Sequence, residues 1–293
     1  MGERVAVLGA GGMLGHEVYA RFNEAALSGA LESASGVVRR PVDDYEPWLP
    51  VEHLHLVTDA RDEQQMNDAL ATLSPTVVVN CVGLLKPLCS DPVAAIEVNS
   101  LFPHRLSQWC EANRVRLIHV STDCVFSGRT GLYDEASIPD PVDVYGRSKL
   151  LGEPMTASAL TVRTSIIGHE FFTSHNLLDW LVTQHGEVQG YTESLWSGVS
   201  TITLADVLLD LIVDHASLTG LLHVPGEAID KYRLLVVANE VYELGLTVRA
   251  VPGEQCDRRL RSIRTDYTAS IPSLESQLAA LRHSLPRVPG RAG

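Results

Sequence analysis

The sequence predicts an α/β fold: a doubly wound parallel sheet of the Rossmann kind, followed by a smaller C-terminal α/β substrate-binding part. Two observations carry this. Short apolar, β-branched runs alternate with longer helical patterns, which is the signature of a parallel sheet covered on both faces. The first run, Arg4–Leu8, opens at once into Gly9-Ala10-Gly11-Gly12-Met13-Leu14-Gly15, and an amphipathic stretch follows at residues 16–27. Strand, glycine turn and helix in that order make a nucleotide-binding turn credible.

Gly9, Gly12 and Gly15 supply a tight turn, close approach of backbone to a pyrophosphate, and close packing of helix on strand. Phosphates would sit at the helix N-terminus, where free N–H groups and the helix dipole favour negative charge. The second strand is read at residues 36–40 and ends in Arg39-Arg40. An acid in that place suits the ribose hydroxyls of NAD, whereas arginine suits a 2′-phosphate, so NADP is expected over NAD. The competing reading of Arg39 and Arg40 is a pair of solvated side chains. Residues 41–50 form a loop, 54–59 the third strand with Asp59 placed to reach an adenine, and 62–73 a helix. Residues 75–83 are the fourth strand, opening into a turn at Cys81-Val82-Gly83.

Residues 92–113 read as one long helix containing Asn99 and Pro103. The fifth strand, 116–120, delivers Ser121-Thr122-Asp123, and the sixth, 160–163, delivers Thr164-Ser165. Right-handed crossovers then fix the winding, and ligands of such sheets bind at the carboxyl ends of the strands. The Gly9 turn, Asp59, Cys81 to Gly83, Ser121-Thr122 and Thr164-Ser165 all fall there. Between the fifth and sixth strands a turn-rich segment, 134–141, leads into a helix at 144–152. It carries Tyr145 and Lys149, four apart and therefore on one face. A free phenol, with a pKa of ~10, is a poor acid–base catalyst at neutral pH; a neighbouring cation favours the phenolate.

Past Thr164 the alternation breaks down. Helices are expected at 175–185, 203–216 and 229–244, strand and loop at 187–198, and strands at 221–224 and Thr247–Val251. Residues 1–164 are thus expected to be the dinucleotide-binding domain, rejoined by 200–225. Residues 165–283 would be mainly the substrate-binding part, and 284–293 a loose tail rich in Pro, Arg and Gly. The segment 256–264 holds Arg258, Arg259, Arg261 and Arg264. It is either a grip for a diphosphate or a solvated basic turn.

Composition narrows the partners. The 293 residues carry 23 Lys and Arg against 36 Asp and Glu, a net charge of −13. Without a basic block, that argues against nucleic acid or an anionic membrane as a main partner. The five cysteines are scattered with no Cys-x-x-Cys pair, so neither a disulfide framework nor a metal site is expected. No signal peptide or membrane-spanning apolar run is read, and the cytoplasm is the expected location.

Taken in order, Gly9-x-x-Gly12-x-x-Gly15, the Ser121-Thr122-Asp123 strand end and Tyr145-x-x-x-Lys149 resemble an extended short-chain dehydrogenase/reductase. Residues 121–128, 145–153 and Arg163-Thr164-Ser165 are most similar to the dTDP-4-dehydrorhamnose reductase group of nucleotide-sugar enzymes. The resemblance implies an NADP-dependent reductase of a nucleotide-diphosphate 4-keto sugar. Tyr145 would be its proton donor. Lys149 would lower the pKa of the phenol and bond the nicotinamide ribose. Thr122 would polarise the carbonyl, with Ser121 as its substitute beside the cofactor. Gly9, Gly12, Met13, Leu14 and Gly15 would line the pyrophosphate, and Cys81, Val82 and Gly83 the adenosine. Asn99 would support the site, while Thr164, Ser165, Trp196, Arg258 and Arg261 would face the nucleotide-sugar.

Cys124 stands where sugar 4,6-dehydratases carry an acid and rhamnose-type reductases usually a tyrosine. Dehydration is therefore disfavoured and the sugar left open. Cys124 itself reads as packed rather than nucleophilic, since its strand-end neighbours offer no cation. Two other readings stay open. One is an epimerase or pyranose/furanose mutase without net redox, with His169, His175 and Tyr191 as candidates for a second acid–base pair. The other is a non-catalytic NADP-binding regulatory subunit. A homodimer is allowed for.

Overall fold

The computed structural model describes residues 2–46, 48–173 and 176–284. The tail beyond Ser284 and His175 lie outside the described residues. In chain order the elements of the first half are β1 (Arg4–Leu8), α1 (Gly15–Leu27), β2 (Ser33–Val38), β3 (Leu54–Leu56), α2 (Glu63–Leu73), β4 (Val77–Asn80), α3 (Pro92–Ile96), α4 (Phe102–Asn113), β5 (Arg116–Thr122), α5 (Val144–Leu151) and β6 (Ala159–Thr164). Then come β7 (Ile166–Ile167), α6 (Leu177–Leu181), β8 (Glu187–Tyr191), β9 (Ser194–Trp196), β10 (Val199–Ser200), α7 (Thr201–Val213) and β11 (Gly220–His223). The chain ends in β12 (Ile229–Asp230), α8 (Lys231–Tyr242), β13 (Thr247–Val251), β14 (Cys256–Asp257) and α9 (Leu274–Ser284).

Seven strands form one parallel sheet in the order β11-β6-β5-β4-β1-β2-β3. The winding reverses between β1 and β4, so a crevice opens at their carboxyl ends, where dinucleotide ligands bind in such sheets. Alternation along the strands builds a core on each face. Val5, Val7, Val79 and Ile118 pack with Tyr19 and Phe22 of α1 and with Leu204 and Leu208 of α7. Ala6, Leu8, Val78 and Leu117 pack on the other face with Leu70 of α2 and with Phe102 and Leu106 of α4. The fold is the doubly wound α/β class read from the pattern.

The C-terminal part adds a three-stranded sheet, β12-β9-β14, and a parallel pair, β13-β8. Its core joins Leu178, Leu181, Trp196, Leu234, Leu278 and Leu281. Three expected elements differ. The helix expected at 175–185 is confined to Leu177–Leu181, and Gly186, at φ 72°, turns the chain into β8. The helix expected from 229 starts at Lys231, because Ile229 pairs with Trp196 and Asp230 caps the helix by accepting from Arg233 N–H. β2 ends at Val38, which leaves Arg39 and Arg40 beyond the sheet. Between α3 and α4 the backbone widens into a π-turn, Glu97–Leu101, a feature that recurs at functional sites. No helix among the described residues is long and apolar enough to cross a membrane.

Candidate active site

The glycine turn is built for a close backbone approach. Gly9 sits at φ 78°, and the N–H groups of Gly9 and Ala10 both donate to Val37 O at 3.0 Å. A Cβ on Gly15 would collide with the Gly9 carbonyl, so only glycine lets α1 close on β1. Met13 is half-buried, and the Leu14 side chain packs into the core, so Leu14 offers the turn only its backbone. Tyr45 closes the outer side of the turn, where its ring would meet a side chain on Gly11. The Arg40 guanidinium lies 4.5 Å over the Phe172 ring. Arg39 is exposed beside Tyr45 with no ion pair among the described residues. Asp59 is already engaged. Arg61 bonds its carboxylate with Nε at 2.9 Å and Nη2 at 2.6 Å, holding it below the usual carboxylate range.

Asn99 ties the wall after β4 to the helix of Tyr145. Fully buried within the π-turn, its Oδ1 accepts from Leu84 N–H at 2.8 Å. Its Nδ2 donates to Leu84 O at 3.2 Å and Ser148 Oγ at 3.1 Å. Cys81, Val82 and Gly83 run along this wall, with Val82 N–H held by Asn80 Oδ1 at 3.0 Å. Burial pushes the Cys81 thiol up to about 12.

The two helical residues emerge opposite the end of β5. Asp143 caps α5 by accepting from Gly146 N–H at 2.8 Å. Gly146 is pressed against the Cys124 carbonyl, where any Cβ would collide. Lys149 is 5% exposed and its Nζ donates to Val120 O at 2.8 Å. Burial pushes its pKa down to about 8. Thr122 Oγ1 accepts from Cys124 N–H at 3.1 Å and donates to Asp123 Oδ1 at 3.2 Å, and the Thr122 side chain stands beside the Tyr145 phenol. That phenol is pushed up, first by burial and then by Cys124, with neighbouring Thr122 opposing. Lys149, expected to lower it, is not among its leading influences; desolvation outweighs the cation. An open recess beside Tyr145 is flanked by Lys86 and Asp143, which pair at 2.8 Å.

Both the sequence and the fold match known proteins. Residues 3–265 match the family model described as the RmlD substrate binding domain. The chain belongs to the RmlD family. A dTDP-4-keto-6-deoxy-D-glucose reductase of Streptomyces niveus is 26% identical over 232 residues, 76% of this chain and 73% of that protein. Methionine adenosyltransferase 2 subunit beta of Rattus norvegicus is 30% identical over 152 residues, 51% of this chain and 41% of that protein. Several curated relatives are matched over about two fifths of their length. Among solved structures, a dTDP-4-dehydrorhamnose reductase of Bacillus anthracis in complex with NADP superposes with a TM-score of 0.75 at 20% identity. That match covers 95% of this chain and 98% of that one, and it speaks for the fold.

Other residues singled out in this RmlD-family chain are held in bonds of their own. Ser121 donates to Glu153 Oε1 at 2.6 Å, and Glu153 forms a buried ion pair with Arg163 at 2.6 Å, so Ser121 belongs to a structural network. Thr164 donates to Val224 O at 2.7 Å and holds β6 to the return strand. Trp196 is buried, and its indole N–H donates to Ser165 Oγ at 2.8 Å. The arginine segment does not act as one grip. Arg259, Arg261 and Arg264 bridge Asp257, Asp134 and Asp266, each ion pair being formed locally or on the surface. Arg258 alone of the four turns inward: Nε donates to Phe126 O at 3.0 Å and Nη1 contacts Cys124 Sγ at 3.8 Å. Cys124 therefore does have a cation beside it. Burial still dominates and pushes the thiol up to about 12.

Two of the candidates for a second acid–base pair are engaged with other groups or exposed. His169 is buried between Asp179, at 2.6 Å, and the Tyr242 hydroxyl, at 2.8 Å, and Tyr191 packs on Gly253 at the surface. Lys231 escaped sequence reasoning. It heads α8 and sets its Nζ 4.8 Å over the Trp196 ring. No periodicity marks it; only the register of Ile229 against Trp196 brings it to that ring.

Proposed function

We propose that this protein is an NADP-dependent reductase of a nucleotide-diphosphate 4-keto sugar. The observation that carries the reading is the placing of the Tyr145 phenol beside the end of β5, near Thr122, with buried Lys149 anchored on the same strand end. The glycine turn fits a pyrophosphate, since only backbone lines it at Gly9 and Gly15. Exposed Arg39 fits a 2′-phosphate. Bound NADPH supplies the hydride.

The chain's own residues handle the proton. Thr122 and Tyr145 would both donate to the sugar carbonyl oxygen, and the Tyr145 Oη proton would pass to that oxygen as negative charge develops on it. Burial keeps the phenol protonated until then. The Lys149 ammonium would offset the charge left on Tyr145. The name of the Streptomyces niveus relative and the Bacillus anthracis structure support this reading.

The test is NADPH consumption by the purified protein against a panel of nucleotide-diphospho-4-keto sugars, with NMR of the same tubes. NADPH oxidation matched by a reduced sugar is expected. An altered sugar with NADPH untouched would move the reading to an isomerase, and no change in either would favour a non-catalytic binding subunit.

A further inference from the structure

A buried acid stands one helical turn beyond Lys149 and is held in a fixed place. Glu153 lies just past the end of α5, where Gly152 N–H still donates to Ser148 O and Lys149 O, and Glu153 N–H to Leu150 O. The turn therefore continues, and Glu153, four residues on, follows Lys149 on the same face. Both side chains meet neighbouring residues of β5. Lys149 Nζ donates to Val120 O at 2.8 Å, and Ser121 Oγ donates to Glu153 Oε1 at 2.6 Å. From β6, Arg163 holds the same carboxylate, Nε on Oε1 at 2.8 Å and Nη2 on Oε2 at 2.6 Å. Lys149, Glu153, Ser121 and Arg163 are all buried. Lysine, acid and arginine thus alternate in sign from α5 to β6, away from solvent.

The other groups around Lys149 carry no charge to balance it. Cys81 faces the ammonium from the wall after β4, and His119 from β5. Burial pushes the Cys81 thiol up to about 12 and the His119 imidazole well below its ordinary range, so both are neutral near pH 7. Burial likewise keeps the Tyr145 phenol protonated. Among the described residues, Glu153 is the leading influence that opposes the desolvation of Lys149. Without an acid nearby, a lysine buried this deeply gives up its proton more readily.

We propose that Glu153 is a positioning residue: clamped by Ser121 and Arg163, it is the counter-charge that keeps Lys149 an ammonium on the helix face that carries Tyr145. This rests on the reductase reading above for the part Lys149 plays in turnover, though not for its charge. Arg163 sets the strength of the counter-charge, because it neutralises part of the carboxylate it holds. Removing the acid and removing the arginine should therefore act on Lys149 in opposite directions, whereas water admitted by a loosened fold would act in one.

The test uses the chain's three lysines, Lys86, Lys149 and Lys231. Lysine labelled with 13C at Cε gives one signal for each, and Lys149→Met assigns the Lys149 signal. Titration of the full chain should show native Lys149 losing its proton near pH 8. In Glu153→Gln the midpoint should fall by about one pH unit or more, and in Arg163→Met it should rise by about as much. Lys86, paired with Asp143 at 2.8 Å, should hold its place in both. The alkaline limb of kcat/KM for NADPH oxidation should follow Lys149 in each variant. A Lys149 midpoint unmoved in Glu153→Gln, or moved the same way in both variants, would overturn the proposal. Removing one partner of a buried pair can prevent folding. In that event Glu153→Gln combined with Arg163→Met, which removes both charges together, decides: the midpoint should fall, and an unchanged one would overturn the proposal. Midpoints that shift as expected without NADPH oxidation would leave this inference standing and sink the reductase reading; oxidation with the midpoint fixed would do the reverse.

Discussion

The Lys149 ammonium donates to the Val120 carbonyl at 2.8 Å, two residues ahead of Thr122 on the same strand. The lysine is thereby anchored to the strand that carries the Thr122 hydroxyl. Its folded pKa, about 8, lies below its ordinary value of 10.5. Between those values the unfolded chain binds the extra proton, so this group makes stability rise with pH across that window. The cost is fully present below pH 8. Lys149→Met removes it, so the variant's stability relative to the native chain should fall by roughly 3 kcal/mol between pH 7 and pH 10.5. Denaturant unfolding at a series of pH values measures this, and Lys231, unchanged in both proteins, cancels. A difference independent of pH would show that the ammonium is not desolvated.

Tyr145→Phe keeps the ring and removes the proton. NADPH oxidation should fall about 100-fold or more, while NADPH affinity stays within a few-fold. Thr122→Val should lose about tenfold in kcat, since one donor to the oxygen is gone while Tyr145 remains. Full activity in Tyr145→Phe would sink the mechanism.

Asn99→Leu deletes the clasp between the wall after β4 and α5. The half-buried Leu84 N–H and O lose their partner, and the cost should be about 1–3 kcal/mol in denaturant unfolding. NADPH affinity should fall as well, since Gly83 lies so close that a Cβ on it would sit 3.4 Å from Asn99 Oδ1. A variant with native stability but weaker NADPH binding would assign Asn99 to the ligand rather than to the wall.

Arg39→Ala should weaken NADPH by about tenfold and leave NADH nearly unchanged. Arg40→Ala should treat the two cofactors alike, because the Arg40 guanidinium is spent on the Phe172 ring. Binding titrations with both cofactors decide it, and equal losses at Arg39 would remove the case for a 2′-phosphate.

Much of the fold was legible because it is written locally. The alternation of apolar strand and amphipathic helix, and the glycines at 9, 12 and 15, are patterns within a few residues of chain. Tyr145 and Lys149 were legible for the same reason: four residues on a helix share a face. The arginine segment was left with two readings because charge on a chain does not say where its partners lie. Asp134 claims Arg261 from 127 residues away, and Asp257 claims Arg259 from two.

By itself, the sequence determined the doubly wound sheet, the turn that opens it, and the helix that carries the tyrosine and lysine. All three follow from short-range periodicity and from glycine's freedom at φ 78°. Only the tertiary structure decided which charges are spare. Ser121 is spent on Glu153 and Thr164 on Val224, while Arg258 reaches Cys124, just past β5, from more than a hundred residues downstream. Hydrogen bonding and desolvation act through space, and no local pattern records which group will meet its partner first.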